Sequence, residues 1–194
     1  MVYHFGGEEA LALVHGDPAG RDAVLARVHS ECLTGEVFGS QRCDCRAQLE
    51  RALERIAGAE AGVLVYLRQE GRGIGLGNKV RAYALQDQGQ DTVEANLALG
   101  FAPDLRSYEI AAAILRDLGI VSVQLMTNNP EKIDGLRQAG VNVTEQVPHW
   151  VESSHLSHDY LEVKRAKLGH VGTGKQASGA TSIKSSIKST GKTK

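Results

Sequence analysis

Apolar positions fall in short blocks along most of this chain, and their spacing switches between two periods. Ala10–His15 and Val24–His29 alternate or run apolar over strand length, with Gly16-Asp17-Pro18 turning between them. Gln48–Ile56 places Leu49, Leu53 and Ile56 at helical spacing. Val63–Leu67 (VLVYL) has the length and composition of a buried strand. A glycine-rich loop, Gln69 to Gly77, separates it from helical stretches at Lys79–Gln88 and Thr92–Leu99. Ser107–Leu118 is an amphipathic helix with Ile110, Ala113, Ile114 and Leu118 on one face and Gly119 as its stop. Val121–Met126 is a strand, Thr127-Asn128-Asn129-Pro130 turns into a further helix, and Val141–Val147 is the last strand. Strands and helices alternate in the second half. The expected class is α/β, a mixed α+β sheet flanked by helices.

Length and composition set the frame for that pattern. The 194 residues are 42% hydrophobic and 23% charged, ordinary for a globular protein. They suit one domain, expected over residues 1–170, with an appended tail. From Val171 the chain has five lysines, no acidic residue and no aromatic. Residues 171–194 are rich in Gly, Ser, Thr and Lys with little to bury, so disorder is expected there. Taking those five charges from the net −1 leaves about −6 on the body, which argues against general nucleic-acid binding. No apolar run approaches the roughly 20 residues that cross a bilayer, and the start lacks the pattern of a signal peptide. A cytoplasmic protein with no membrane partner is expected.

In that compartment clustered thiols bind metal or do chemistry more often than they form disulfides. The three cysteines are Cys32, Cys43 and Cys45, spaced C-x10-C-x-C. Three thiolates are one short of a closed tetrahedral zinc site, and three protein ligands leave a fourth position for water or substrate. Cys43 and Cys45 sit where a helix begins, which favours thiolate. Spacing alone leaves three readings open: an open catalytic zinc, a closed site completed by His29 or another residue, and no metal.

Three further segments could carry chemistry. Gln69 to Gly77, with Arg68 before it and Lys79 after, follows a strand and precedes a helix, a common place for a phosphate loop. It lacks the GK[ST] ending of a P-loop and the full GxGxxG fingerprint. Arg68, Arg72 and Lys79 could meet phosphate oxygens, and Glu70 could accept from a base edge. Asp104 and Arg106 precede the amphipathic helix; on spacing alone they read as a surface pair or a cap. Tyr83 lies in a helical stretch and reads as core, and Thr127 to Lys132 (TNNPEK) as a polar turn.

Taken together, RVHSECLTG, RCDC, QEGRGIGL, the NK-x-RAYALQDQG run, DTVEAN, LGF and TNNPEK closely resemble the GTP cyclohydrolase II family, in order from about Val24 to Val147. The resemblance implies hydrolysis of GTP to a 2,5-diamino-6-ribosylamino-pyrimidinone 5′-phosphate with release of formate and pyrophosphate, the opening step of riboflavin synthesis. It implies one Zn²⁺ on Cys32, Cys43 and Cys45, Mg²⁺ on the GTP phosphates, and a homodimer. Matched residue by residue, Arg27, Val28, His29, Ser30, Glu31, Gln48, Glu70, Gly71, Arg72, Thr92, Thr127 and Lys132 correspond to GTP contacts. Asp104 resembles the proton acceptor, Arg106 the proposed nucleophile toward the α-phosphate, and Tyr83 the tyrosine that assists ring opening.

An arginine nucleophile must lose a proton against a pKa above 12, so Arg106 reads better as a charge stabiliser. Arg46 stands where the family usually has glycine. Against the family pattern the chain is also expected to lack part of an N-terminal strand and a preceding dihydroxybutanone phosphate synthase domain, the profile of a stand-alone, specialised copy that serves riboflavin synthesis or a related secondary pathway built on the same pyrimidine. Two other readings compete: a ring-opening relative that keeps the formyl group, and a zinc-stabilised nucleotide-binding module without turnover.

Overall fold

The computed structural model describes residues 1–151. The lysine-rich segment 171–194 and the last part of the expected 1–170 body lie outside the described residues. Six strands form one mixed sheet: β1 (Val2–Phe5), β2 (Glu8–His15), β3 (Val24–Ser30), β4 (Gly62–Leu67), β5 (Val123–Met126) and β6 (Val143–Val147). They stand in the order β1-β2-β4-β3-β5-β6. β1–β2 and β2–β4 are antiparallel, whereas β4–β3, β3–β5 and β5–β6 are parallel. The expected mixed α/β class is what the chain adopts.

The helices are α1 (Leu33–Glu36), α2 (Cys45–Ala57), α3 (Gly75–Gln86), α4 (Thr92–Ala98), α5 (Glu109–Asp117) and α6 (Pro130–Gln138). Residues of β4 point alternately to two faces. Val63, Val65 and Leu67 join Ala111, Ile114, Leu115 and Leu136 in the larger core, under α5 and α6. Leu64 joins Ala52, Ile56 and Met126 in a smaller core, under α2. The central strands are thus buried on both faces, which explains why they read as continuous apolar runs. Each fully buried leucine, such as Leu64, Leu125 or Leu136, contributes about 1.5–3 kcal/mol.

The ends of several elements differ from the sequence expectation for local reasons. β1 was not expected, yet Gly6 and Gly7 with φ of 55° and 97° close a two-residue hairpin onto β2. Val121 and Ser122 precede β5 because their backbones bond Arg21 and Val24 instead. Val141 closes the C-terminus of α6 through Leu136 O at 2.9 Å rather than extending β6. Helix starts follow capping rules: Asp91 and Glu94 form a capping box on α4, and Asn129 caps α6 with Pro130 in its first turn. No helix among the described residues is long and apolar enough to cross a membrane.

Candidate active site

Three parallel strands end on one side of the sheet, and their following loops enclose a cleft, the usual place for a ligand in such a sheet. β3 delivers Ser30, Glu31 and Cys32; β4 delivers Gln69 to Arg72; β5 delivers Thr127 to Asn129. α3 adds Lys79, Ala82, Tyr83 and Gln86, four residues at helical spacing on one face. Of the residues expected from sequence, Arg27, His29, Ser30, Glu31, Gln48, Glu70, Gly71, Arg72, Thr92, Thr127 and Lys132 line this cleft. So do Tyr83, Asp104, Arg106 and the three cysteines. Val28 differs: its side chain is in the core, while its carbonyl accepts from Lys132 Nζ at 2.7 Å. Arg68 also lies off the cleft, 3.7 Å from both Glu9 and Glu31.

The sulfurs of Cys32, Cys43 and Cys45 lie within 4.8 Å of one another, the one His/Cys/Asp/Glu group among the described residues that could hold a metal. Cys32 precedes α1, and Cys45 opens α2. Gly35, in α1, lets them meet: a Cβ there would lie 2.8 Å from Cys43 Sγ and 3.2 Å from Cys32 Sγ. The cradle and the soft donor set fit a thiophilic metal. Cys43 and Cys45, together with the Lys79 ammonium, push the Cys32 thiol far below its usual range, while proton sharing with Cys32 pushes Cys43 up. His29 is not part of this group. Its Nε2 meets Glu36 Oε1 at 2.7 Å, and Glu36 Oε2 accepts from Tyr66 O–H at 2.6 Å. Burial lowers the His29 pKa, so this contact is a neutral imidazole donating to a buried carboxylate.

Lys79 and Glu70 stand beside the thiolates. Lys79 Nζ is 3.0 Å from Cys32 Sγ and 2.7 Å from Glu70 Oε1. Glu70 also accepts from the backbone N–H of Gly71 at 2.9 Å and of Leu33 at 2.7 Å. Tyr83 lies one turn after Lys79, and its hydroxyl is 3.3 Å from Thr34 Oγ1, itself 3.8 Å from Cys32 Sγ. Burial raises the Tyr83 pKa, which keeps the phenol protonated. The sequence pattern suggests Lys79 as a phosphate contact, whereas the structure places it against Cys32 and Glu70; its position four residues before Tyr83 is the signal that the two share one helix face. Gly35 carries no sequence signal beyond its place at the end of RVHSECLTG, and Glu36, just after that motif, carries none.

Asp104 and Arg106, which also line the cleft, form a forked pair. Arg106 Nε is 2.9 and 3.1 Å from the two carboxylate oxygens, its backbone N–H is 3.0 Å from Oδ1, and Nη2 meets Oδ2. Burial raises the Asp104 pKa, yet the Arg106 guanidinium outweighs it and holds the carboxyl below its usual range. The glycine loop is tied to this pair. Leu105 N–H donates to Arg72 O at 3.0 Å, and a Cβ on Gly73, at φ 90°, would lie 3.1 Å from Leu105 Cβ. Arg72 itself sits at φ 60°, ψ 37°, a costly conformation for a side-chain-bearing residue, and its Nη1 is buried without a protein partner. Two left-handed residues in succession, Gly71 and Arg72, turn that guanidine into the cleft.

The floor is a polar chain. Arg27 donates to Met126 O at 2.8 Å and to Gln48 Oε1 at 2.7 Å, and Gln48 Nε2 donates to Asp44 Oδ2 at 2.6 Å. Full burial pushes the Arg27 pKa down to about 10, still a cation at neutral pH. His149 fixes the turn beneath: Nε2 donates to Gln48 O at 2.8 Å, while Asn128 brackets its backbone at 2.8 and 2.9 Å. Thr127 Oγ1 accepts from Asn129 N–H at 3.1 Å, and Gln86 Nε2 lies 3.4 Å from Thr92 Oγ1. Arg46 points away to Glu50 Oε1 at 2.9 Å and is not a cleft residue.

Fold and cleft define a mixed-sheet α/β protein that joins a three-cysteine group able to hold a metal to a cation-rich, ligand-sized cleft. A profile of the GTP cyclohydrolase II family matches residues 1–148, and the chain belongs to that family. It is 60% identical over 166 residues to the riboflavin biosynthesis protein RibBA of Bacillus subtilis, covering 85% of this chain and 42% of that protein. It is 55% identical over 168 residues to the GTP cyclohydrolase-2 of Cronobacter sakazakii, covering 87% and 85%. Against the GTP cyclohydrolase-2 of Neisseria meningitidis it is 54% identical over 166 residues, covering 86% and 84%. The chain thus spans well under half the length of the RibBA relative.

Proposed function

We propose that the protein is a GTP cyclohydrolase II. It hydrolyses GTP to 2,5-diamino-6-(5-phospho-ribosylamino)pyrimidin-4(3H)-one, formate and pyrophosphate, in riboflavin biosynthesis. The observation that carries the reading is convergence: the thiolate trio, Tyr83, the Asp104–Arg106 pair, Arg72 and Lys132 face one cleft.

Ring opening needs attack on an aromatic carbon and later loss of a one-carbon unit. A zinc ion held by Cys32, Cys43 and Cys45 would supply the Lewis acidity that makes water a nucleophile near neutral pH. Tyr83, a protonated phenol near those sulfurs, donates a hydrogen bond to the oxygen added to the base and orients it. Asp104, ionised by its neighbour, can accept a proton. Pyrophosphate release is a separate displacement at the α-phosphate. Arg72, with a buried nitrogen lacking a protein partner, and Lys132 stabilise the charge of the leaving group, with Mg²⁺ on the phosphates. Arg106 acts there as a fixed positive charge, since the carboxylate of Asp104 opposes its deprotonation. The family pattern supports a cytoplasmic homodimer and a catalytic body over 1–170.

The test is direct. Purified protein with GTP, Zn²⁺ and Mg²⁺ releases formate and pyrophosphate together. Ring-opened product without formate would replace this reading with the formyl-retaining one, and GTP binding without turnover with a non-catalytic module. Cys43→Ser abolishes formate release while pyrophosphate release persists.

A further inference from the structure

We infer that Lys79 is a positioning residue that tunes the metal centre through the sulfur of Cys32. The inference rests on reading the thiolate trio as a metal centre. The geometry is specific. Nζ of Lys79 stands 3.0 Å from Cys32 Sγ, a length at which an ammonium N–H donates to sulfur. A second N–H goes to Glu70 Oε1 at 2.7 Å. The side chains of Lys79 and Glu70 are 12% and 8% exposed, so water competes little for either bond. Glu70 is itself locked by the backbone N–H groups of Gly71 and of Leu33, the residue after Cys32. Lys79 therefore cannot swing away without leaving a buried carboxylate short of a donor.

The chemical consequence follows from charge. Three thiolates push much electron density onto a divalent metal, which weakens it as an acid. A charged N–H donor on one sulfur withdraws part of that density, and hydrogen bonds to ligand sulfurs are a general means of adjusting a metal site. Placed four residues before Tyr83, with Nζ 5.8 Å from its ring centroid, Lys79 acts on the same wall where the added oxygen is oriented. Glu70, matched to a substrate contact by resemblance, holds Lys79 here through its carboxylate.

The experiment compares wild type, K79M and K79R, each loaded with Co²⁺ as a spectroscopic substitute, and each assayed with zinc and GTP. In K79M the thiolate-to-cobalt charge-transfer band moves to longer wavelength, because a sulfur without its donor gives up an electron more easily. kcat falls roughly ten- to a hundredfold, the usual scale for outer partners of a metal site, while KM for GTP changes less than threefold. K79R keeps a charged donor, and its band lies between those two. K79Q replaces K79M if that variant does not fold. An unmoved band in K79M, or a loss confined to KM, overturns the inference. Wild-type protein that takes up no cobalt overturns the metal-centre reading, and this role with it, before any variant is made.

Discussion

Gly35 and Cys43 are in such close register that one added carbon would separate them from a metal site: a Cβ on Gly35 would sit 2.8 Å from Cys43 Sγ. Real Cβ atoms do not approach a sulfur so closely, so the helix or the thiolate must move. Gly35→Ala is expected to lower metal affinity at least tenfold while leaving the sheet intact. Metal content after gel filtration, read beside a circular dichroism melt, checks this. Full metal loading of the variant would show that the cradle tolerates the shift.

Asp104 owes its low pKa to Arg106, not to solvent. Its folded pKa is depressed, so its ionisation stabilises the fold above the ordinary carboxylate range and that contribution is lost as pH falls through the folded value. In Arg106→Ala burial remains while the guanidinium is gone, and the Asp104 pKa rises. Pyrophosphate release by this variant should fall at least a hundredfold, and the acid limb of any residual activity should move to higher pH. An unchanged acid limb would show that Asp104 is not the group that titrates there.

His149 is 1% exposed and burial pushes its pKa down to about 4. The unfolded chain therefore binds the proton that the fold refuses between about pH 6.5 and 4. The contribution is complete above pH 6.5 and is lost as pH falls through that window, on the order of 1–3 kcal/mol. His149→Leu is expected to flatten the stability curve between pH 4.5 and 7. It should also cost about 1–2 kcal/mol at pH 7, because Gln48 O loses its donor. Urea unfolding at the two pH values measures both effects.

Tyr83→Phe removes one hydroxyl and leaves the ring under the Arg42 guanidinium, 4.9 Å from its centroid. Formate release should drop about a hundredfold or more, with KM for GTP nearly constant. The melting temperature should stay close to wild type, since only the 3.3 Å contact to Thr34 is lost. A loss carried by KM would make Tyr83 a binding group.

Much of this protein was legible in its sequence because period and chemistry are local properties. The apolar runs of β3 and β4, the amphipathic α5, and Asn129-Pro130 at the start of α6 announce themselves by spacing and capping. The motifs identified the family and the residues that meet in the cleft. Short elements were harder. β1 exists because β2 offers it an edge, and α1 is four residues long with no periodicity to read.

The sequence by itself determined the mixed α/β class, the three thiols as a candidate metal group, and the residues matched to a nucleotide site. Only the tertiary structure decided which neighbours those residues have. It turned Asp104 and Arg106 from a surface pair into a half-buried fork lining the cleft, excluded His29 from the thiolate group by giving it Glu36, and moved Lys79 onto a sulfur. The physical reason is that burial and partner set the charge of each group. Both arise where β3, β4, β5 and α3, up to 99 residues apart along the chain in the contact of Arg27 with Met126, come together at one end of the sheet.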